Sequence, residues 1–159
     1  MASGNAIIVN ADPRGNFGEG VLSGATYPGV HLEIVPATNP VSERYTWRAR
    51  SSANGAAGPI VVLLNDWEQG GTGTDQIATA VRVKFYWPLP GDKMNCRVAE
   101  SSGTGTSGSN LIGDRLSVNT SGLLMAGTST VQPYYLLDRT GLDTYTTALK
   151  LVLYLGGYA

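Results

Sequence analysis

The chain has 159 residues, 42% of them hydrophobic, and a formal net charge of -1. That apolar share is enough for one packed core and argues against wholesale disorder, while the charge leaves no basic footprint for nucleic acid. Glycine, serine, threonine and asparagine together fill 57 positions, which weighs against a helical bundle.

From Met1 to Gly24, turn formers surround one short apolar stretch, Ile7-Ile8-Val9, with no sustained periodicity. Asn10-Ala11-Asp12-Pro13-Arg14-Gly15-Asn16 is dense in residues that stop regular elements. Residues 1–24 therefore read as an extended N-terminal arm and residues 25–159 as a single β domain. Nothing local offers the Ile7-Ile8-Val9 segment a pairing partner, which makes Ile7, Ile8 and Val9 candidates for addition to the sheet edge of a partner protein.

Beyond Tyr27, short strand-like runs recur with turn signals between them. They are Gly29–Val35, Thr46–Arg50, Ile60–Asn65, Val81–Trp87, Asn95–Ala99, Leu116–Asn119, Leu123–Ala126, Tyr134–Asp138 and Ala148–Tyr154. This is the pattern of an all-β fold, a β-sandwich or jelly roll or a small β-barrel. Alternation in Val81-Arg82-Val83-Lys84-Phe85 places one face in the core and the other in water. By the same rule Trp47 and Ala49 point in, and Arg48 and Arg50 point out. Ile60 to Leu64 is continuously apolar, as expected of a central strand buried on both faces. Pro90-Gly91-Asp92-Lys93-Met94 and Ile112-Gly113-Asp114-Arg115-Leu116 echo one another, each placing Gly-Asp, a base and an apolar residue where a strand starts. The loops at 51–59, 69–76 and 101–110 are low in complexity, and the last has no apolar anchor.

Reaction chemistry is hard to assemble from these residues. The single histidine, His31, lies between Val30 and Leu32, and there is no Gly-x-Ser-x-Gly elbow. It reads as a structural histidine. Cys96 is the only cysteine and lies between Asn95 and Arg97, as expected of a small core residue that offers neither a disulfide nor metal-ligand spacing. Gly103-Thr104-Gly105-Thr106-Ser107-Gly108 matches a dinucleotide fingerprint in letters, but no helix pattern follows to receive a pyrophosphate. Asp66, Glu68, Asp75, Asp138 and Asp143 read as solvated loop charges. No enzyme activity, cofactor or metal is expected. The longest apolar run, Leu149 to Leu155, is interrupted by Lys150 and falls far short of the roughly 20 residues of a membrane span. The N-terminus lacks the basic and apolar regions of a secretory signal. Neither a membrane partner nor export by that route is expected. Trp67, Trp87, Tyr134 and Tyr135 are candidates for subunit contacts, since aromatics are enriched in interface centres. Trp67 beside its glycine loop also allows a glycan-binding module as the alternative function.

The series Arg48-Ala49-Arg50, Gly55, Ile60 to Asn65, Gly70-Gly71, Val81-Arg82-Val83, Pro90-Gly91-Asp92, Val98-Ala99, Ile112 to Leu116 and Gly122-Leu123-Leu124 resembles the head decoration, or cement, proteins of tailed bacteriophages. The likeness covers residues 46–126 and rests on order and spacing. Tyr134–Asp138 with Ala148–Tyr154 is similar to the family's closing strand pair. The chain departs from the family in its long segment before Tyr27 and its long loop at 101–110. What the resemblance implies is a β-rich virion structural protein that sits on the outer capsid surface, often as a homotrimer, binds the major capsid protein and stabilises the shell by bridging coat subunits.

Overall fold

The computed structural model describes residues 7–10, 16–35, 46–51, 60–65, 72–99, 112–126, 131–137 and 147–156, with the backbone alone at 8–10, 147 and 148. Among these residues all regular structure is β: β1 (Ile8–Asn10), β2 (Phe17–Leu22), β3 (His31–Ile34), β4 (Thr46–Ala49), β5 (Val61–Leu63), β6 (Arg82–Tyr86), β7 (Lys93–Ala99), β8 (Arg115–Val118), β9 (Leu124–Ala126), β10 (Tyr134–Leu136) and β11 (Thr147–Tyr154). No helix among the described residues is long and apolar enough to cross a membrane. Each expected strand after Tyr27 is present, its ends shifted by a residue or two. Val83 and Phe85 are buried while Arg82 and Lys84 are exposed, as the alternation requires.

Strands β2-β4-β3-β5-β6 close into a five-stranded barrel. The later strands run β7-β11-β10-β8-β9, and β9 pairs back onto β7, so they too form a ring. Numbered from its own first strand, each ring has the order 1-3-2-4-5. In each, strands 1 and 3 form the one parallel junction, β2 with β4 and β7 with β9. The registers agree as well: Leu32 lies opposite Ala49 and Val61, and Leu116 lies opposite Ala126 and Tyr134. The chain is thus a tandem repeat of one barrel topology.

Backbone hydrogen bonds repeat with the strands. The Gly29 N–H donates to the Leu63 carbonyl at 2.8 Å and the Leu63 N–H returns to Val30 at 2.9 Å; Gly113, Leu136 and Asp114 do the same at 2.8 and 3.0 Å. Val35 to Thr46 is matched by Asn119 to Leu123, and Leu64 to Lys84 by Leu137 to Leu151. Gly29 and Gly113 both hold positive φ, 81° and 93°, where a side chain would be strained. The true counterpart of the Gly113 turn is therefore the Gly29 turn. The Gly91-Asp92 turn that echoes it in sequence serves a different strand of the second barrel. It exchanges bonds with Tyr154 much as Gly113-Asp114 does with Leu136, so the two turns grip the two neighbouring strands β10 and β11.

The two interiors reach full packing by different routes. In the first barrel, β2 presents Gly18 and Gly20 inward, and the space above them is filled by Phe85, Trp47 and Trp87. Ring centroids there lie 4.4 Å apart for Trp47–Phe85 and 5.2 Å for Phe85–Trp87. At the same register positions of the second barrel stand Met94 and Cys96, with Leu124, Val152 and Tyr154 as the other members. Aromatic rings over Gly18 and Gly20 in one core, and Leu124 and Val152 beside Met94 and Cys96 in the other, conserve volume.

For residues 7–10 and 16–24, these packing facts correct the reading of residues 1–24 as an arm. Phe17–Leu22 is a barrel strand, and its glycines are there because aromatic rings occupy the places where their side chains would be. Ile7 is 1% exposed within the second core, β1 pairs antiparallel with β7, and the Asn95 N–H donates to the Ile7 carbonyl. The segment's partner is distant in sequence, not in another molecule. Val62 and Tyr86 point away from the first barrel's interior and join the second core, while Val61 and Leu63 belong to the first. β5 is accordingly buried on both faces, as its apolar run indicates. Arg50 is a second correction: it is 4% exposed, because β4 ends at Ala49 and the Arg50 N–H turns to the His31 carbonyl at 3.0 Å.

Candidate functional site

His31, Asp92 and Arg97 lie where the barrels meet. His31 starts β3 and is fully buried. Its Nδ1 lies 3.2 Å from the Gly122 carbonyl oxygen, which can only accept, so Nδ1 carries the proton. Nε2 of the neutral ring is then an acceptor, and the Tyr134 hydroxyl donates to it at 2.8 Å. Burial pushes the His31 pKa down to about 4; the Gly122 bond opposes this and the Arg50 charge adds to it. Gly122 fits because it has no side chain: a Cβ there would stand 2.5 Å from the His31 oxygen. His31 thus ties the first barrel to the second and has no path to a substrate.

Other polar groups have internal partners of their own. The Arg97 Nε donates to Pro28 at 3.0 Å and its Nη2 to Gly73 at 2.8 Å, with the guanidinium 4.7 Å from the Tyr27 ring centroid. Asp92 accepts from the Tyr86 hydroxyl at 2.7 Å and from the Leu89 N–H at 2.6 Å. Glu33 accepts from Arg48 at 2.9 Å and from the amide and hydroxyl of Ser51. Asp75 is exposed, and bonds from the Thr72 amide and hydroxyl hold its carboxyl below the usual range. Cys96 is buried, and desolvation raises its thiol pKa. Among the described residues no group of His, Cys, Asp and Glu is placed to hold a metal ion. His31, Asp92 and Arg97 join the barrels, Glu33 ties β3 to the end of β4 within the first barrel, and Asp75 closes its own turn.

The surface is more informative. On the first barrel Pro28, Gly29, Val30, His31, Val62 and Tyr86 are all buried against the second. The same register positions on the second barrel are Ile112, Gly113, Asp114, Arg115, Tyr135 and Leu153. There, Ile112, Gly113 and Arg115 are exposed and the others half-buried. Ile112 is 63% exposed, the highest value among the large apolar side chains described. The Arg115 guanidinium sits 4.9 Å from the Tyr135 ring centroid, and its Nη2 donates to the Tyr135 hydroxyl at 3.1 Å.

The residues singled out from sequence scatter. Ile7 and Tyr134 are sealed inside the molecule, so neither contacts a partner as folded. Ile8 and Val9 lie on β1. Trp87 is half-buried at the edge of the first core. Tyr135 lies on the face just described. Trp67, Asp66, Glu68, Asp138, Asp143 and the loop at 101–110 fall outside the described residues. Sequence reading missed Ile112, Arg115 and Leu153 as surface. The one available signal was an apolar residue directly before a Gly-Asp turn, where Pro90 stands in the other copy of that motif. No protein-family model matches the chain, and no curated protein matches it.

Proposed function

We propose that the protein is a head decoration protein of a tailed bacteriophage: a non-enzymatic virion component that, as a homotrimer, binds the major capsid protein on the outside of the assembled shell and bridges coat subunits. The observation that carries this reading is the ordered series of motifs across residues 46–126. Its turn residues sit where the fold needs them, with Gly91, Gly113 and Gly122 at φ of 99°, 93° and 74°, so the likeness is one of framework. The internal use of His31, Glu33, Asp92 and Arg97 supports a passive role. The burial of Ile7 in the second core favours the barrels as the capsid-contacting part.

A protein that binds the finished lattice and not its dissociated subunits stabilises the lattice by mass action, about 2.7 kcal/mol at a free concentration 100 times the dissociation constant. The test is co-sedimentation of purified protein with expanded empty capsids, with free coat protein as comparison. Binding to shells alone is the expected result. Failure to decorate any capsid of the phage that encodes it would end this reading.

A further inference from the structure

In the first barrel, Val62 on strand 4, Tyr86 on strand 5 and the turn that opens strand 2 are closed over by a second barrel of the same topology. In the second barrel the corresponding face is open among the described residues. We propose that this face, built on Ile112, Arg115, Tyr135 and Leu153, docks a second copy of the same chain.

Three observations fix the occupant. Positions 28–31, 62 and 86 are buried in the first barrel, and their counterparts 112–115, 135 and 153 are exposed or half-buried in the second. The chemistry is that of a contact and not of a solvated surface: an isoleucine 63% exposed, a leucine, and a tyrosine held flat under an arginine. Arginine and tyrosine are the side chains that most often anchor interfaces, because they bury large area and still satisfy their polar atoms. Finally, the shape that covers this face within the chain is a barrel of this very fold, and outside the chain another copy supplies one. The intramolecular dock joins two different faces. Repeated between copies it is heterologous, and a heterologous contact that closes on itself makes a ring, which is the geometry a trimer needs. Neither the face nor its occupant depends on capsid binding.

Sedimentation velocity on the purified full-length protein from 1 to 100 µM, without capsids, tests this. The wild-type protein is expected to run well above its 16.7 kDa chain mass. Ile112→Asp places a charge in the proposed contact from an exposed turn, and is expected to raise the dissociation constant on the order of tenfold or more. Ile112→Ser serves the same purpose if the aspartate variant fails to fold, as judged by its melting transition. Thr79→Asp, which adds the same charge at an exposed turn outside this face and away from the outward side of β2, is expected to associate like wild type. A wild-type monomer across the whole range, association unaffected by both Ile112 variants, or equal loss in Thr79→Asp would each overturn the proposal. Because the readout is solution mass, it fails or succeeds separately from capsid decoration.

Discussion

His31 makes folding stability depend on pH in a way that can be calculated and isolated, since it is the only histidine in the chain. Its pKa is about 4 in the folded protein against 6.5 as a reference. Between those values the unfolded chain binds a proton that the folded one refuses, so stability rises with pH. The contribution is fully present above pH 6.5 and is lost as pH falls toward 4. Linkage puts the loss between pH 7.5 and pH 5 at about 2 kcal/mol, or about 4–8 °C in Tm for a chain of this size. Carboxylates also titrate at the low end of that window, but they are common to wild type and to His31→Gln. The quantity to measure is therefore the difference in pH slope between the two proteins, from thermal or urea melts at pH 7.5, 6.5, 5.5 and 5. His31→Gln is expected to be less stable at pH 7.5 and flatter below it. Tyr134→Phe, which leaves the buried Nε2 without its donor, is expected to cost about 1–3 kcal/mol at pH 7.5. Parallel slopes in wild type and His31→Gln would refute the sealed, neutral histidine.

Other outcomes follow from the paired barrels. Gly29→Ala and Gly113→Ala meet the same positive φ, a cost of about 1 kcal/mol. Gly29 alone would also drive its Cβ against Leu149 and the Asn95 carbonyl, so its melting temperature should drop the further, and equal drops would remove the account of the junction. Gly20→Val, forced into the Trp47 indole, is expected to destabilise by about 1–3 kcal/mol or more. Gly20→Ala combined with Trp47→Leu, which approximates the Cys96 and Leu124 of the second barrel, should be more stable than Gly20→Ala alone. Cys96, buried with its thiol pKa raised by desolvation, should resist a thiol reagent in the native protein and react at once in denaturant; fast native labelling would place it at the surface.

Much of the architecture is legible one strand at a time. Alternation identified β6, a continuous apolar run identified β5 as doubly buried, and turn chemistry located the starts of β7 and β8. Those are local properties, because a strand's period of two and a glycine's positive φ are set by neighbouring residues. The β2 strand was illegible for the complementary reason. Gly18 and Gly20 read as flexible chain until Phe85, Trp47 and Trp87 are known to lie over them. Ile7-Ile8-Val9 likewise seemed to lack a partner because its partner, β7, is remote in sequence.

The tandem repeat is the plainest case of something only the tertiary structure decides. Two barrels can share ring order, register and backbone hydrogen bonds while Gly18 stands for Met94, Trp47 for Leu124 and His31 for Arg115. A barrel constrains the total volume inside it and the polarity of each face, not the identity of any one side chain. Whether an outward position is core or surface then depends on what lies next to the barrel. Val62 and Tyr86 are buried because a second barrel covers them, and Tyr135 and Leu153, at the same places in the repeat, stay half-buried at the surface because no barrel among the described residues covers them.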